Sequence, residues 1–135
     1  MIKAEYLLFI NRIEIDANKR VNLSGVSERA YTPNVPVKVT ELKLIVRLVT
    51  SDNKPILKKP INIKVGFNLK GQETSKIEVP QIVNIEKDTG WVPVFDISSV
   101  IFPDYGNYQV SFSVNGKELI SRVFSIKSQR ELSET

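Results

Sequence analysis

The sequence predicts an all-β protein in which two antiparallel sheets pack face to face as a sandwich of about seven to nine strands. Apolar and polar residues alternate in several segments, which is the pattern of strands with one buried and one wet face. Turn signals separate these segments at short intervals, and prolines mark strand ends or edges because they cannot donate to a ladder. Two sheets are expected because a single one would leave an apolar face in water.

The clearest alternation lies in residues 42–49, 61–70 and 108–114. β-Branched and aromatic side chains fill most of the apolar positions, as strands favour. The predicted core consists of Leu42, Leu44, Val46, Leu48, Ile63, Val65, Phe67, Val110 and Phe112. The chain of 135 residues suits a single domain, predicted over residues 1–127, and the polar tail 128–135 is predicted to be frayed.

A tyrosine corner is predicted where Asp104, Gly106 and Tyr108 have the D-x-G-x-Y spacing. In such a corner the tyrosine hydroxyl ties the turn before a strand back to the backbone, as in immunoglobulin-like sandwiches. The alternative is a plain turn followed by a strand. The alternating strand after Tyr108 favours the corner, so the predicted fold is an immunoglobulin-like antiparallel β-sandwich.

Asn115-Gly116 is a strong signal for a hairpin between the last two predicted strands. A plain two-residue turn would pair Phe112 with Leu119 and place Ile120 and Phe124 on the outer face. A bulge at Gly116 would instead turn Ile120 and Phe124 inward. The bulge buries more apolar surface, so the sequence favours it.

These features resemble those of small, stand-alone bacterial proteins in a family catalogued only as an immunoglobulin-like domain of unknown function. The resemblance lies in residues 4–25, where an apolar strand leads into a charged hairpin and Asn22-Leu23-Ser24-Gly25, in residues 42–55, and in residues 102–116. It covers most of the chain. Its motifs are structural glycines, tyrosines and apolar alternation, so the resemblance implies a fold and no catalytic residues.

Catalytic chemistry has few candidate residues, because the chain contains no histidine and no cysteine. The commonest general base and metal ligand are therefore missing, and no glycine-rich phosphate loop is present. Asp88-Thr89-Gly90 matches the catalytic tripeptide of aspartic proteases, but Glu86 and Lys87 precede it and Trp91 follows, which favours an ordinary turn. We predict no enzyme activity, no cofactor and no metal site.

The beginning of the sequence does not resemble a secretory signal. Its longest apolar run, residues 6–10, has five residues and is followed at once by Asn11 and Arg12. A signal core needs about 7–15 apolar residues and a membrane helix about 20. The absence of cysteine also fits a reducing compartment. The sequence therefore predicts a cytoplasmic protein, provided that no leader has been removed.

Positive charge is concentrated between Lys54 and Lys76, where six lysines face one acid for a net charge of +5, while the rest of the chain carries −1. If strands 41–49 and 61–70 are neighbours, one polar face combines Lys43, Arg47, Lys64 and Lys70, with Lys58 and Lys59 at its rim. This face could bind an acidic partner or a polyanion. The alternative, which the lack of interleaved aromatics favours, is that lysines protect an edge strand from aggregation.

The function predicted from these observations is a non-catalytic module that binds a protein partner or takes part in assembly. The candidate contact residues are Ile45, Val49 and Trp91, apolar residues that we expect to be exposed. Binding of nucleic acid or another polyanion through residues 54–76 is the second hypothesis. No membrane association is predicted, and a homo-oligomer formed through an edge strand is an alternative mode of assembly.

Overall fold

A computed structural model describes residues 1–15, 17–18, 20–52 and 54–133. The described residues form twelve strands, more than the seven to nine predicted, because several strands have only two to four residues. The elements are β1 (Ile2–Ile10), β2 (Arg12–Ile15), β3 (Val21–Ser24), β4 (Arg29–Thr32), β5 (Val37–Lys38), β6 (Lys43–Thr50), β7 (Ile56–Leu69), β8 (Gln72–Ile85), β9 (Val94–Asp96), β10 (Ile101–Phe102), β11 (Gly106–Val114), β12 (Lys117–Ser128) and α1 (Gln129–Ser133). Within these ranges no helix is long and apolar enough to cross a membrane.

Two main sheets form the sandwich. One has the order β1-β6-β9, and the other has the order β4-β12-β11-β7-β8. The pairs in both sheets are antiparallel except for β4, which runs parallel to β12. Two small pairs, β2 with β3 and β5 with β10, complete the described strands. The strands of the two main sheets alternate along the chain, which crosses between the sheets after β1, β4, β6, β8 and β9, so neighbours in sequence are often not neighbours in a sheet.

The core lies between the inner faces of the two main sheets. All nine residues predicted for it are buried, so the predicted phase of the alternation is confirmed. Aromatic rings join the sheets: Phe9 on β1 lies 4.9 Å from Phe124 on β12, centroid to centroid, and Phe95 on β9 lies 5.9 Å from Phe112 on β11. Such tilted ring pairs add to the stabilisation from buried area alone.

The predicted tyrosine corner is present at the start of β11. The Tyr108 hydroxyl donates a hydrogen bond to the Asp104 carbonyl (2.7 Å) and accepts one from the Asp104 N–H (3.0 Å). Gly106 has a φ of 143°, and a Cβ there would lie 2.9 Å from Leu69 Cδ1, so the corner requires glycine. With β6 paired to β9 and β11 placed between β7 and β12, this corner completes an immunoglobulin-like sandwich.

The hairpin of β11 and β12 corrects one prediction. The bulge is not at Gly116: Val114 pairs with Lys117 across a two-residue turn in which Asn115 and Gly116 both have positive φ. The extra residue is Leu119, because Phe112 pairs with Ile120 and Ser113 with Glu118. Phe124 is nevertheless buried, as the favoured register required, because a bulge anywhere before it shifts the phase.

The β7–β8 hairpin extends beyond its neighbour β11. β7 pairs with β11 over residues 63–69, Asn62 still bonds to Asn115 in the turn after β11, and residues 56–61 pair with β8 alone. We call this two-stranded part, residues 56–61 with 81–85, the ribbon. Its inner side reaches the core through Ile61, Val83 and Ile85, which are buried. The ribbon thus adds to the core while one side of β7 remains without a neighbouring strand.

The chain continues in regular structure past residue 127, where the sequence places the end of the domain. β12 ends at Ser128, and α1 follows directly and packs near β4 and β12. Within α1 and β12, Lys127 and Glu131 form an exposed ion pair at 3.6 Å between Nζ and Oε2.

Replacing Phe112 with alanine should destabilise the domain by about 3–5 kcal/mol, because the fully buried ring would leave a cavity beside Phe95. Chemical denaturation measures the change. Replacing the exposed Val123 on β12 with alanine serves as the control and should change stability little. Substitutions at exposed sites usually change the free energy of unfolding by less than about 1 kcal/mol. A loss that small for Phe112→Ala would contradict the burial of its ring.

Replacing Tyr108 with phenylalanine should destabilise the domain by about 1 kcal/mol or somewhat more, because both hydrogen bonds to Asp104 are lost. Burial raises the pKa of the Tyr108 hydroxyl. The wild type should therefore keep its full stability below the unfolded-state pKa of about 10 and lose some as the pH rises above it, whereas Tyr108→Phe should lose less over that range. Equal denaturation midpoints for the two proteins at neutral pH would show that the hydrogen bonds of the corner do not stabilise the domain.

Candidate functional site

The predicted basic face does not exist, because its residues lie on different sheets. Lys43 and Arg47 are on β6 in the three-stranded sheet, whereas Lys64 is on β7 in the five-stranded sheet. The prediction assumed that the two consecutive strands pair, but the chain crosses to the other sheet between them. Lys70 lies in the turn after β7 with a positive φ of 52°.

Ion pairs neutralise several of the basic residues. The Arg47 Nε atom lies 2.7 Å from Glu5 Oε1, and the Lys64 Nζ atom lies 3.1 Å from Glu73 Oε1. Lys76 similarly contacts Glu78 at 3.4 Å. The hydrogen bond from Asn62 and then the contacts with Lys76 lower the pKa of Glu78. These pairs are partly exposed, so each stabilises the fold little, but they reduce the charge that a polyanion would meet.

The ribbon holds two basic residues that no ion pair in the described part of the chain neutralises. Lys58 and Lys59 are exposed, and neither has an ion pair among the described residues. The ribbon's own sequence contains no acidic residue. Lys58 has a positive φ of 50° and donates its backbone N–H to Asn84 Oδ1 at 2.7 Å. Positive charge is therefore held at the part of β7 that has no second neighbouring strand.

This position fits the edge-protection interpretation of Lys58 and Lys59. An unpaired strand edge can pair with a second copy of the chain, and lysines and prolines discourage this. Lys58 and Lys59 are followed by Pro60 on the open side of β7, whereas Lys64 lies where β7 pairs on both sides. Edge protection therefore remains an interpretation for the ribbon lysines and does not extend to Lys64.

The predicted apolar contact residues are not the exposed ones. Ile45 is only 3% exposed, because β6 is the central strand and Leu8 and Val94 flank it in register. Val49 is half-buried, and Trp91 is half-buried and packs against the core. The prediction that Ile45 is an exposed contact residue is therefore wrong.

Two ribbon residues, Leu57 and Ile82, are instead the strongly exposed apolar side chains in this region, at 64% and 68%. Leu57 has the same parity as the core residue Ile61, so alternation predicts burial. A register shift between Ile56 and Lys59 removes it from that phase. The exposure of Ile82 could have been found from the sequence, since Ile82 has the opposite parity to the buried residues Val83 and Ile85.

The Asp88-Thr89-Gly90 segment forms a turn. Its end is closed by a hydrogen bond from the Gly90 N–H to the Glu86 carbonyl at 3.1 Å. Gly90 has a φ of 68°, and a Cβ there would lie 2.5 Å from the Leu48 carbonyl oxygen, so the turn itself requires glycine. Among the described residues, no three histidine, cysteine, aspartate or glutamate side chains are grouped so as to hold a metal ion.

Fold and topology define the chain as an immunoglobulin-like β-sandwich domain. Residues 5–127 match the family of unknown function DUF6941, and the chain belongs to that family. An immunoglobulin-like protein from Pseudomonas aeruginosa, known from a crystal structure, is 14% identical in sequence, with 94% of this chain and 97% of that chain covered and a TM-score of 0.45. No curated protein matches the chain.

Replacing Lys58 and Lys59 together with glutamine should increase self-association, because the open edge of β7 would lose its charge repulsion. Light scattering over a concentration series measures the effect. The matched control replaces Lys70 and Lys87, exposed lysines that lie in turns and not on a strand edge, with glutamine and should leave self-association unchanged. Equal behaviour of the two variants would argue against edge protection. Retention of the wild type on heparin that falls steeply with salt would instead favour a polyanion site.

Proposed function

We propose that this protein is a non-catalytic protein-binding module of the bacterial cytoplasm and that the ribbon is its contact surface. The observation that carries the proposal is the exposure of Leu57 and Ile82 beside uncompensated lysines on one two-stranded extension of the sandwich. Apolar side chains that are exposed and surrounded by charge are typical of surfaces that bind other proteins.

Adjacent contact positions on the ribbon support this assignment. Pro60 pairs with Ile82 across the β7–β8 ladder, and paired residues of an antiparallel ladder lie on the same face. Residues 57–60 are all exposed, so Leu57 lies in a continuous accessible run that leads to Pro60. A partner that covers this run and Ile82 would bury apolar surface that the sandwich itself leaves in water.

The charge of the ribbon favours an acidic partner. Lys58 and Lys59 repel a second copy of the same ribbon, but they attract a partner segment that carries carboxylates near its apolar residues. The same positive charge would then both prevent pairing with a second copy of the chain and favour an acidic partner. We therefore propose that the partner presents an apolar segment flanked by acidic residues.

Replacing Leu57 and Ile82 together with serine should lower the affinity for the partner by about tenfold or more, because both apolar anchors are lost. The full-length wild type and the variant are used as baits in an extract of the native organism, and recovered proteins are quantified. The variant should remain folded, since both side chains are largely exposed.

The matched control is Ile101→Ser, which removes an apolar side chain that is 49% exposed on β10, away from the ribbon. A protein retained by the wild type and by Ile101→Ser but lost with the ribbon variant supports the proposal. Its affinity should also weaken in Lys58→Gln/Lys59→Gln and depend less on salt there. Proteins recovered equally with the ribbon variant would show that partners bind elsewhere.

A further inference from the structure

A polar cleft lies on the outer face of the five-stranded sheet, on residues that the ribbon does not include. Its volume is about 190 Å³. Lys64 and Asn68 on β7 and Ser111 and Ser113 on β11 line it, and Gly66 lies between the first two. Strand register accounts for this placement, because Gly66 pairs with Ser111 and Lys64 pairs with Ser113.

Two carboxylates complete the lining of the cleft. Glu73 comes from β8 and holds Lys64 at 3.1 Å, and Glu118 comes from β12, where it pairs with Ser113. Glu118 has no ion pair among the described residues. With two carboxylates and one ammonium, the formal charge of the lining is negative, and the carboxylate of Glu118 is the uncompensated one.

Unpaired polar groups distinguish the cleft from the surface around it. Elsewhere on this face the polar side chains bond to one another: Gln109 Nε2 donates to Ser121 Oγ at 3.2 Å, Ser125 Oγ donates to Asn107 Oδ1 at 2.6 Å, and Asn62 Nδ2 donates to Glu78 Oε1 at 2.8 Å.

Within the cleft the pattern is reversed. The side chains of Asn68, Ser111, Ser113 and Glu118 have no hydrogen-bond partner in the described part of the chain, and all four line the same space. Their acceptor oxygens are therefore available together to one ligand, whereas the neighbouring polar groups are already used within the sheet.

Gly66 at the floor of the cleft has no conformational reason to be glycine. It differs from the other glycines of the chain, which all have positive φ. A Cβ at Gly66 would lie 3.5 Å from Glu73 Oε1 and 3.8 Å from Lys64 Cε, which are ordinary contact distances. A glycine inside a strand weakens it, and it often marks a place where another group approaches the backbone closely.

The Lys64–Glu73 ion pair does not explain the glycine. The pair lies across Gly66, but a methyl group would fit beneath it at the distances above. Both side chains are 38% exposed, so the pair itself contributes little stability. The ion pair therefore leaves the glycine without a structural explanation.

We propose that this cleft binds a positively charged amine or guanidinium group on an alkyl stem. Such a cation donates several hydrogen bonds and needs several acceptors, which Glu118, Ser111 and Ser113 offer together. An anion would meet the net negative charge, and a nucleobase or sugar would find no aromatic ring to stack on among the lining residues. The cation could belong to a small free amine or to a lysine or arginine side chain of a peptide.

The test is a titration of the full-length, isotope-labelled protein followed by amide resonances. The probes are butylammonium, butylguanidinium and a short peptide with capped ends and a single lysine or arginine. We expect the amides of Gly66, Ser111 and Ser113 to shift with saturation. Tighter binding of the peptide would identify a protein side chain as the source of the cation, and equal binding would identify a small amine.

Glu118→Gln should weaken binding of every probe by about tenfold or more, because it removes the uncompensated charge without changing the size of the side chain. Gly66→Ala should leave the denaturation midpoint unchanged or higher and should weaken binding by filling the floor. The matched controls, Glu86→Gln and Ser121→Ala, change residues outside the lining and should bind as the wild type does.

Three results would overturn the proposal. The first is an absence of shifts at the cleft amides with all three probes. The second is that butanol or inorganic phosphate produces the same shifts, and the third is that Glu118→Gln leaves the shifts unchanged. Each of them leaves the ribbon proposal untouched, since that proposal rests on Leu57 and Ile82 and is measured with a different ligand.

Discussion

The corner formed by Tyr108 and Asp104 holds the strand on which the larger sheet is built. β11 lies between β7 and β12, so its position sets the register of both neighbours. Phe102, whose ring packs edge-on against Tyr108 at 5.0 Å, also contacts Phe67 on β7 and Phe124 on β12. One aromatic cluster therefore fixes the corner and the inner face of three strands. The outer face inherits the same register, and this brings Gly66 opposite Ser111.

Alternation along single strands was readable from the sequence because each strand with one buried face must place apolar residues at every second position. The core around Phe67 and Phe112 and the corner at Tyr108 followed from this and from local turn chemistry. Sheet membership was not readable in the same way. Which sheet a strand joins depends on packing between distant segments, and Lys43 and Lys64 were therefore placed on one face although they lie on two.

Register shifts explain most of the remaining differences. The shift before Lys59 exposes Leu57, and the bulge at Leu119 turns Phe124 inward. A bulge switches the face of the sheet on which every later residue of the strand lies. It is hard to detect in a sequence when the extra residue is apolar. The exposure of Leu57 and the cleft could not be predicted from the sequence for this reason, since both depend on which residues of two or more strands stand side by side.

The length of β7 explains how one sheet provides two different surfaces. Its first half has β8 as its only neighbour and keeps an open edge with lysines, whereas its second half lies between β8 and β11 and carries side chains paired on both sides. The first half therefore presents side chains at an edge that can meet another protein. The second half has no open backbone edge, and its outer face carries the cleft at Gly66.

The parallel pairing of β4 with β12 has a consequence for the newly synthesised chain. Ala30 pairs with Ile126, so a strand made early waits for one made almost a hundred residues later. Contacts this distant in sequence slow folding, because a long loop must close before they form. On the ribosome β1 and β6 can pair, but the larger sheet stays open at β4 until β12 has emerged. During translation β4 therefore stays without its partner for longer than a strand of a local hairpin would.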